Sequence, residues 1–325
     1  MREAAFIQRN KQRWHQLEQV VDGLERLSAD DVSELYVQLT DDLSYARTFY
    51  PDSNVQHFLN GLAARTHQYI HRNQRTPRGR FVRFWKEEVP LAMAATRTPL
   101  LLSAGIFLAA VLVGALSARH DPTFVRLILG DDYVNMTLQN IREGKPMAVY
   151  GSSGEGLMFL GITVNNVRVA LLAFAAGIAA GFGTVYVLLF NGIMVGAFQY
   201  FFHEQGVLRE SLLTIWVHGT LEISAIVIAG AAGLALGRGM LFPGTYTRME
   251  SFRRGAMLGL KVVIGLVPVF VVAGFLESFV TRHALSVPSF VSASIIVLSL
   301  AFLIGYFILL PRHVQLRSSE AGTGP

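Results

Sequence analysis

The residues that can do chemistry in this chain lie within its most apolar stretches. His218 and Glu222 stand four apart in the run HGTLE, so a helix places them on one face, one turn apart. Asn191 precedes them in a long aliphatic run, and Glu277 follows in FLESFVT. An ionisable residue inside a membrane span costs about 2.5–3.5 kcal/mol even on insertion scales, so each is a functional candidate. Three chemistries compete for the set. A metal site needs at least a third ligand beside His218 and Glu222, and His203 is the weak candidate, because HxxxE alone is not a metal motif. A proton or ion relay needs a chain of such groups, which Glu222, His218, Glu277 and Lys261 supply. A buried polar cluster that ties helices together needs only local partners, Asn191, Thr220 or backbone. Neither HExxH nor Gly-x-Ser-x-Gly occurs, so the sequence offers no proteolytic motif.

The surroundings that must position these groups are apolar. The 325 residues are 52% hydrophobic and 16% charged, with mean hydropathy +0.40. Soluble chains carry roughly a quarter charged residues, so this composition is that of a helical membrane protein. The absence of cysteine excludes disulfides, thiolate metal sites and a cysteine nucleophile. No cofactor is expected. The isoelectric point near 9.6 has no basic-aromatic nucleic-acid motif beside it, so orientation and lipid contact account for the charge, and no nucleic-acid partner is expected.

Charge is segregated along the chain. Residues 1–97 hold 14 of the 28 Lys and Arg and 12 of the 23 acids. Three amphipathic stripes are legible there: Ile7, Trp14, Leu17, Val21 and Leu24; Val32, Leu35, Tyr36, Leu39, Leu43 and Ala46; and Val55, Phe58, Leu59, Leu62 and Tyr69-Ile70. They predict a small cytoplasmic helical bundle over 1–76, since the first 20 residues lack the apolar core of a secretory signal. After Pro77, Arg80, Arg83 and Lys86 interleave with Phe81, Phe84 and Trp85. That pattern predicts a basic amphipathic helix over 77–98 lying on anionic headgroups, with a docking patch for an acidic partner as the alternative.

Apolar runs follow at 99–118, 167–202, 211–237, 256–280 and 288–310. Taken as five crossings, they put the loop carrying Arg238, Arg248, Arg253 and Arg254 outside, against the positive-inside rule. The 167–202 run is 36 residues long, against the ~20 one span needs. A break at Asn191-Gly192 or at Gly181-Phe182-Gly183 turns it into a broken or re-entrant hairpin. The expected fold is therefore all-α: a polytopic helical membrane bundle of about six segments over 99–311, with a soluble N-terminal helical domain. Residues 119–163 form an extracytoplasmic segment in which Asp121-Pro122 starts a helix, and 312–325 form a cytoplasmic tail. Asn165, Asn166 and Arg168 stand where the second segment begins. Four Gly-xxx-Gly pairs, Gly177/Gly181, Gly192/Gly196, Gly233/Gly237 and Gly255/Gly259, allow close helix packing, and one of them can serve a homodimer or higher homo-oligomer.

The order of motifs resembles a known family. The NN-x-R of Asn165, Asn166 and Arg168, the run GFGTVYVLLFNG, the HGTLE helix and FLESFVT together are similar to the stage II sporulation protein M family of integral membrane proteins. Trp14, Asp42-Leu43 and Arg47 in the head look similar too. The resemblance implies a multi-span plasma-membrane protein without a known reaction. Its namesake is a scaffold that gathers a peptidoglycan-degrading complex during engulfment. Members in non-sporulating bacteria are often encoded near MoxR-type ATPases and von Willebrand-factor-like proteins. The family's motif residues correspond to Asn165, Asn166, Asn191, Gly192, His218, Gly219, Glu222 and Glu277, with no catalytic role established for any. The expectation is a non-enzymatic scaffold of the bacterial inner membrane, both termini cytoplasmic, with the lipid bilayer and envelope proteins as partners. The alternative is a small transporter or channel using the His218, Glu222 and Asn191 cluster, and a metalloenzyme is a third, minor reading.

Overall fold

Ser28 shows how local sequence sets the first unit. Its hydroxyl accepts the Asp31 backbone N–H at 3.1 Å, satisfying a donor that the first helical turn leaves open. The helix it caps is α2 (Ala29–Phe49), which Tyr50-Pro51 terminates; α1 is Glu3–Val21 and α3 is Asn54–Arg72. The computed structural model describes residues 2–25, 27–72, 79–148, 155–283 and 287–321, and it divides into two units, 1–80 and 81–325. All regular elements among the described residues are helical.

The core of the first unit holds Phe6, Trp14, Leu17 and Val20 from α1, Val32, Leu39, Leu43 and Ala46 from α2, and Val55, Leu59 and Leu62 from α3. The α1 stripe thus differs from the sequence expectation: Phe6 and Val20 are buried, while Ile7 is 36% and Leu24 80% exposed. Asn10 fills the place between Phe6 and Trp14, and a polar residue there hides the true stripe from a hydrophobicity count. Asp42 fastens α2 to α1, accepting the Trp14 indole N–H at 2.8 Å and the Arg13 guanidinium at 3.1 Å.

In the second unit, six described helices are long and apolar enough to cross a bilayer: Arg97–His120, Gly156–Ile178, Phe182–Glu204, Leu208–Leu241, Arg248–Val280 and Ser289–Leu316, here the first to sixth spans. The second span begins well before the apolar run that announced it. Residues 155–163, expected in the segment between spans, are already helix. The chain then reverses over 179–181, where Ala180 (φ 53°) and Gly181 (φ 88°) both take the left-handed conformation. Asn191-Gly192 is no break, since both residues lie inside the third span.

Glycines settle the direction of each span. Gly192 abuts Ala110 and the Phe107 carbonyl, and Gly196 abuts Val111 and Ala115, so the first and third spans run parallel. A chain that returns parallel must have crossed back between them, which is what residues 155–178 do. Gly230 on Leu188 and Gly237 on the Ala180-Gly181 turn make the third and fourth spans antiparallel. Gly255 on Leu236 and Gly259 on the Ala232 carbonyl do the same for the fourth and fifth. All four Gly-xxx-Gly pairs are thus used inside one chain, where absent side chains let backbones touch. The fourth span lies at the centre: two thirds of its most apolar window is buried, against under a quarter for the first, second and sixth.

Two short helices, Pro122–Leu129 and Asp131–Arg142, follow the first span. Asp121 caps the former, accepting from the Thr123 N–H at 2.8 Å and hydroxyl at 2.7 Å; these bonds hold its carboxyl below the usual carboxylate range. The basic stretch preceding the spans is not one uniform surface helix. Arg80, Arg83 and Lys86 are exposed, but a π-helical turn (Phe84–Glu88) leads into Val89–Ala95, whose Val89, Pro90, Ala92 and Met93 are buried. Trp85 is half-buried, and its carbonyl accepts the Tyr306 hydroxyl at 2.7 Å. The helix of the sixth span also continues beyond residue 312, where a tail was expected.

Candidate functional site

His218 is 4% exposed in the first third of the fourth span, one turn before Glu222. Glu277 reaches it from the fifth span, whose last turn is π-helical (Leu276–Val280). A π turn widens the helix by one residue and re-aims the side chains beyond it. Here the carboxylate of Glu277 and the hydroxyl of Thr281 both turn to His218. Nδ1 of His218 lies 3.0 Å from Thr281 Oγ1, and Nε2 lies 3.8 Å from Glu277 Oε2. On the other side, the Asn166 amide donates to Glu222 Oε1 at 2.5 Å. One donor atom from each of His218, Glu222 and Glu277 lies within 4.8 Å of the other two. The second, fourth and fifth spans are thereby joined through polar side chains in a medium where an unpaired polar group is most costly.

A cavity of about 480 Å³ opens beside this cluster. Asn165, Asn166, Asn191, Gln199, His218 and Glu222 give it a polar wall, and Ile128, Leu129 and Tyr133 come from the two short helices. Burial raises the Tyr133 hydroxyl above its ordinary pKa. The Gln199 carbonyl oxygen and the Trp216 indole N–H are buried without a protein partner among the described residues. Towards the opposite face of the bundle the same helices close. Gly177 meets Gly233 backbone to backbone, and Gly237 meets the reversal at Gly181. The hydroxyls there are consumed locally: Thr184 donates to the Ala173 carbonyl and Ser103 to the Val227 carbonyl, each at 2.7 Å.

The sequence candidates divide accordingly. His218, Glu222 and Glu277 converge, and Asn191 shares the cavity while its amide donates to its own helix at the Val187 carbonyl (2.8 Å). His203 stays at the exposed end of the third span, so the third member of the donor set is Glu277 rather than His203. Lys261 takes no part in a relay; its ammonium pairs with Glu88 at 2.7 Å. Asn165, Asn166 and Arg168 do not stand at the start of the second span but at its middle, with Asn165 and Arg168 exposed. Their polarity made a mid-span stretch look like a boundary. Thr281 was the missed member, although its place four residues after Glu277 in FLESFVT was a signal. Gln199 and Trp216 carried none. A nitrogen and two carboxylates are a donor set that suits a divalent cation, with Thr281 and Asn166 holding the first ligands from behind.

Residues 103–282 match the family model described as Stage II sporulation protein M, and residues 4–72 match a domain of unknown function, DUF8413. No curated protein and no solved structure matches the chain.

Proposed function

The chain belongs to the stage II sporulation protein M family and is a multi-pass membrane protein, and on that premise we propose that it is a non-enzymatic scaffold of the inner membrane that organises an envelope or peptidoglycan-remodelling assembly. The observation that carries the proposal is the use made of the polar cluster. His218, Glu222 and Glu277 each face a partner on another span, and beneath them, among the described residues, the second and fourth spans meet glycine to glycine. That is the economy of a rigid platform. The basic loop after the fourth span supports a cytoplasmic placement for that side, and with alternating spans for both ends of the membrane unit. Arg80, Arg83 and Lys86 supply cations for anionic headgroups on the same side. Photo-crosslinkers in the head, at Phe58, and between spans, at Lys145, are expected to capture envelope proteins in cells. Recovery of self-adducts alone overturns the proposal.

The cavity favours a second reading, a small transporter or channel, because its wall gathers three asparagine amides, His218 and Glu222 at one place. It requires flux of an ion or small solute in liposomes that Glu222→Gln abolishes while the protein still folds. Undiminished flux in that variant removes it.

A further inference from the structure

Arg168 is an exposed cation at the centre of a membrane span. Two helices fix its depth. It stands at the middle of the second span, Gly156–Ile178, and Asn166, two residues earlier, bonds to Glu222 near the middle of the fourth span, Leu208–Leu241. Among the described residues no carboxylate or hydrogen-bond acceptor pairs with its guanidinium, and it does not line the cavity. Around it the second span presents Leu160 (59% exposed), Val164 (64%), Leu171 (45%) and Leu172 (57%), with Asn165 beside them. This is one continuous face at helical spacing, apolar except for an amide and a cation.

We propose that this face binds a transmembrane helix of another protein, one carrying an aspartate or glutamate at mid-span that pairs with Arg168. The inference deepens the scaffold reading and rests on it. The chemistry of the occupant is set by charge and depth. A lipid phosphate does not reach: the hydrocarbon core is about 30 Å thick, so headgroups lie about 15 Å from its midplane, beyond an extended arginine side chain. A second copy does not serve: a two-fold axis along this face sets Arg168 against Arg168, the described carboxylate nearest that level, Glu222, is turned inward to Asn166, and Glu277, towards the end of the fifth span, faces His218. A carboxylate on a foreign helix satisfies the guanidinium through a bidentate, charge-assisted pair, and Asn165 offers a further amide. The apolar side chains around the pair keep it dry.

The test uses the full chain in its native membrane, with a photo-crosslinking amino acid at Leu172. The expected adduct joins it to a protein whose crosslinked segment is a membrane span with a mid-span Asp or Glu. Arg168→Leu is expected to cut that adduct by roughly tenfold or more, as loss of a desolvated charge pair would. Arg168→Asp is expected to abolish it, and exchanging the partner's carboxylate for arginine to restore it. Melting of purified Arg168→Leu is expected to be no lower than wild type, because the variant removes an unpaired charge and no intramolecular contact. An adduct to a second copy, an adduct whose yield Arg168→Leu leaves unchanged, or no protein adduct overturns the proposal. Capture of envelope proteins through Phe58 or Lys145 under those outcomes leaves the scaffold reading intact, so the two failures are distinguishable.

Discussion

Asn166 donates to Glu222 at 2.5 Å across a sequence separation of 56 residues, and the same separation carries Gly177 onto Gly233. The second and fourth spans therefore run parallel and in register over three turns. They are tied at one level by an amide-carboxylate bond and at another by bare backbone. The polar contact and the glycine contact belong to one seam.

The polar tie is expected to be strong. Asn166→Ala leaves Glu222 without its donor in a half-buried place, at a cost of about 1–3 kcal/mol, the usual range for a buried polar group left unsatisfied. Asn165→Ala, on the exposed side of the same helix, is expected to melt near wild type. A double-mutant cycle with Glu222→Gln, read by thermal melting in detergent, checks the pair. Additive losses would mean that the bond contributes nothing.

The glycine contact predicts a steric effect. A Cβ at Gly233 meets the Ala173 carbonyl and the Thr184 hydroxyl, so Gly233→Ala is expected to destabilise by about 1–3 kcal/mol as the seam is overpacked. Gly105→Ala lies in open space and serves as the control. Equal melting of the two variants would contradict the close approach.

Topology is directly checkable because the chain has no cysteine of its own. In intact cells, Lys145→Cys is expected to react with a membrane-impermeant maleimide, whereas Ala179→Cys and Thr245→Cys react only after permeabilisation. All three positions are exposed, so protection reports side rather than burial. Labelling of Ala179→Cys together with Lys145→Cys would deny that residues 156–178 cross.

Asp121 gives a pH dependence with a definite sign. Its carboxyl is held below the ordinary range by Thr123, so its contribution is complete above the unfolded-state value and is lost as pH falls through the folded one. Faster amide exchange in Pro122–Leu129 is expected from about pH 4 downward. Asp121→Asn keeps an acceptor for the Thr123 N–H and is expected to flatten the dependence. Because the group is exposed, the effect is local to this helix.

How much of the fold and the polar site was legible in the sequence differs from residue to residue. The six crossings were, because Arg238, Arg248, Arg253 and Arg254 demanded one more span than a count of apolar runs gave. The start of the second span was not. Asn165, Asn166 and Arg168 lower its hydropathy in the very place where Glu222 and the exposed face employ polar groups, and a window average treats such residues as an edge. Asn191-Gly192 read as a break since both residues end helices in water. In the bundle Gly192 is instead a flat surface for Ala110, and Asn191 bonds back to Val187. His218, Glu222 and Glu277 were legible as costly residues. That the third donor is Glu277 depends on the direction of the fifth span and on its terminal π turn, which periodicity does not encode.

The glycine seam has an electrical consequence. Where Gly177 lies on Gly233 and Gly237 on the reversal at Gly181, the backbones of the second, third and fourth spans touch directly, and the Thr184 hydroxyl there is spent on the Ala173 carbonyl. In a membrane carrying a voltage, a layer packed in this way would take up the potential drop along these three spans, and hydration or occupancy of the polar pocket above it would open no conducting path there.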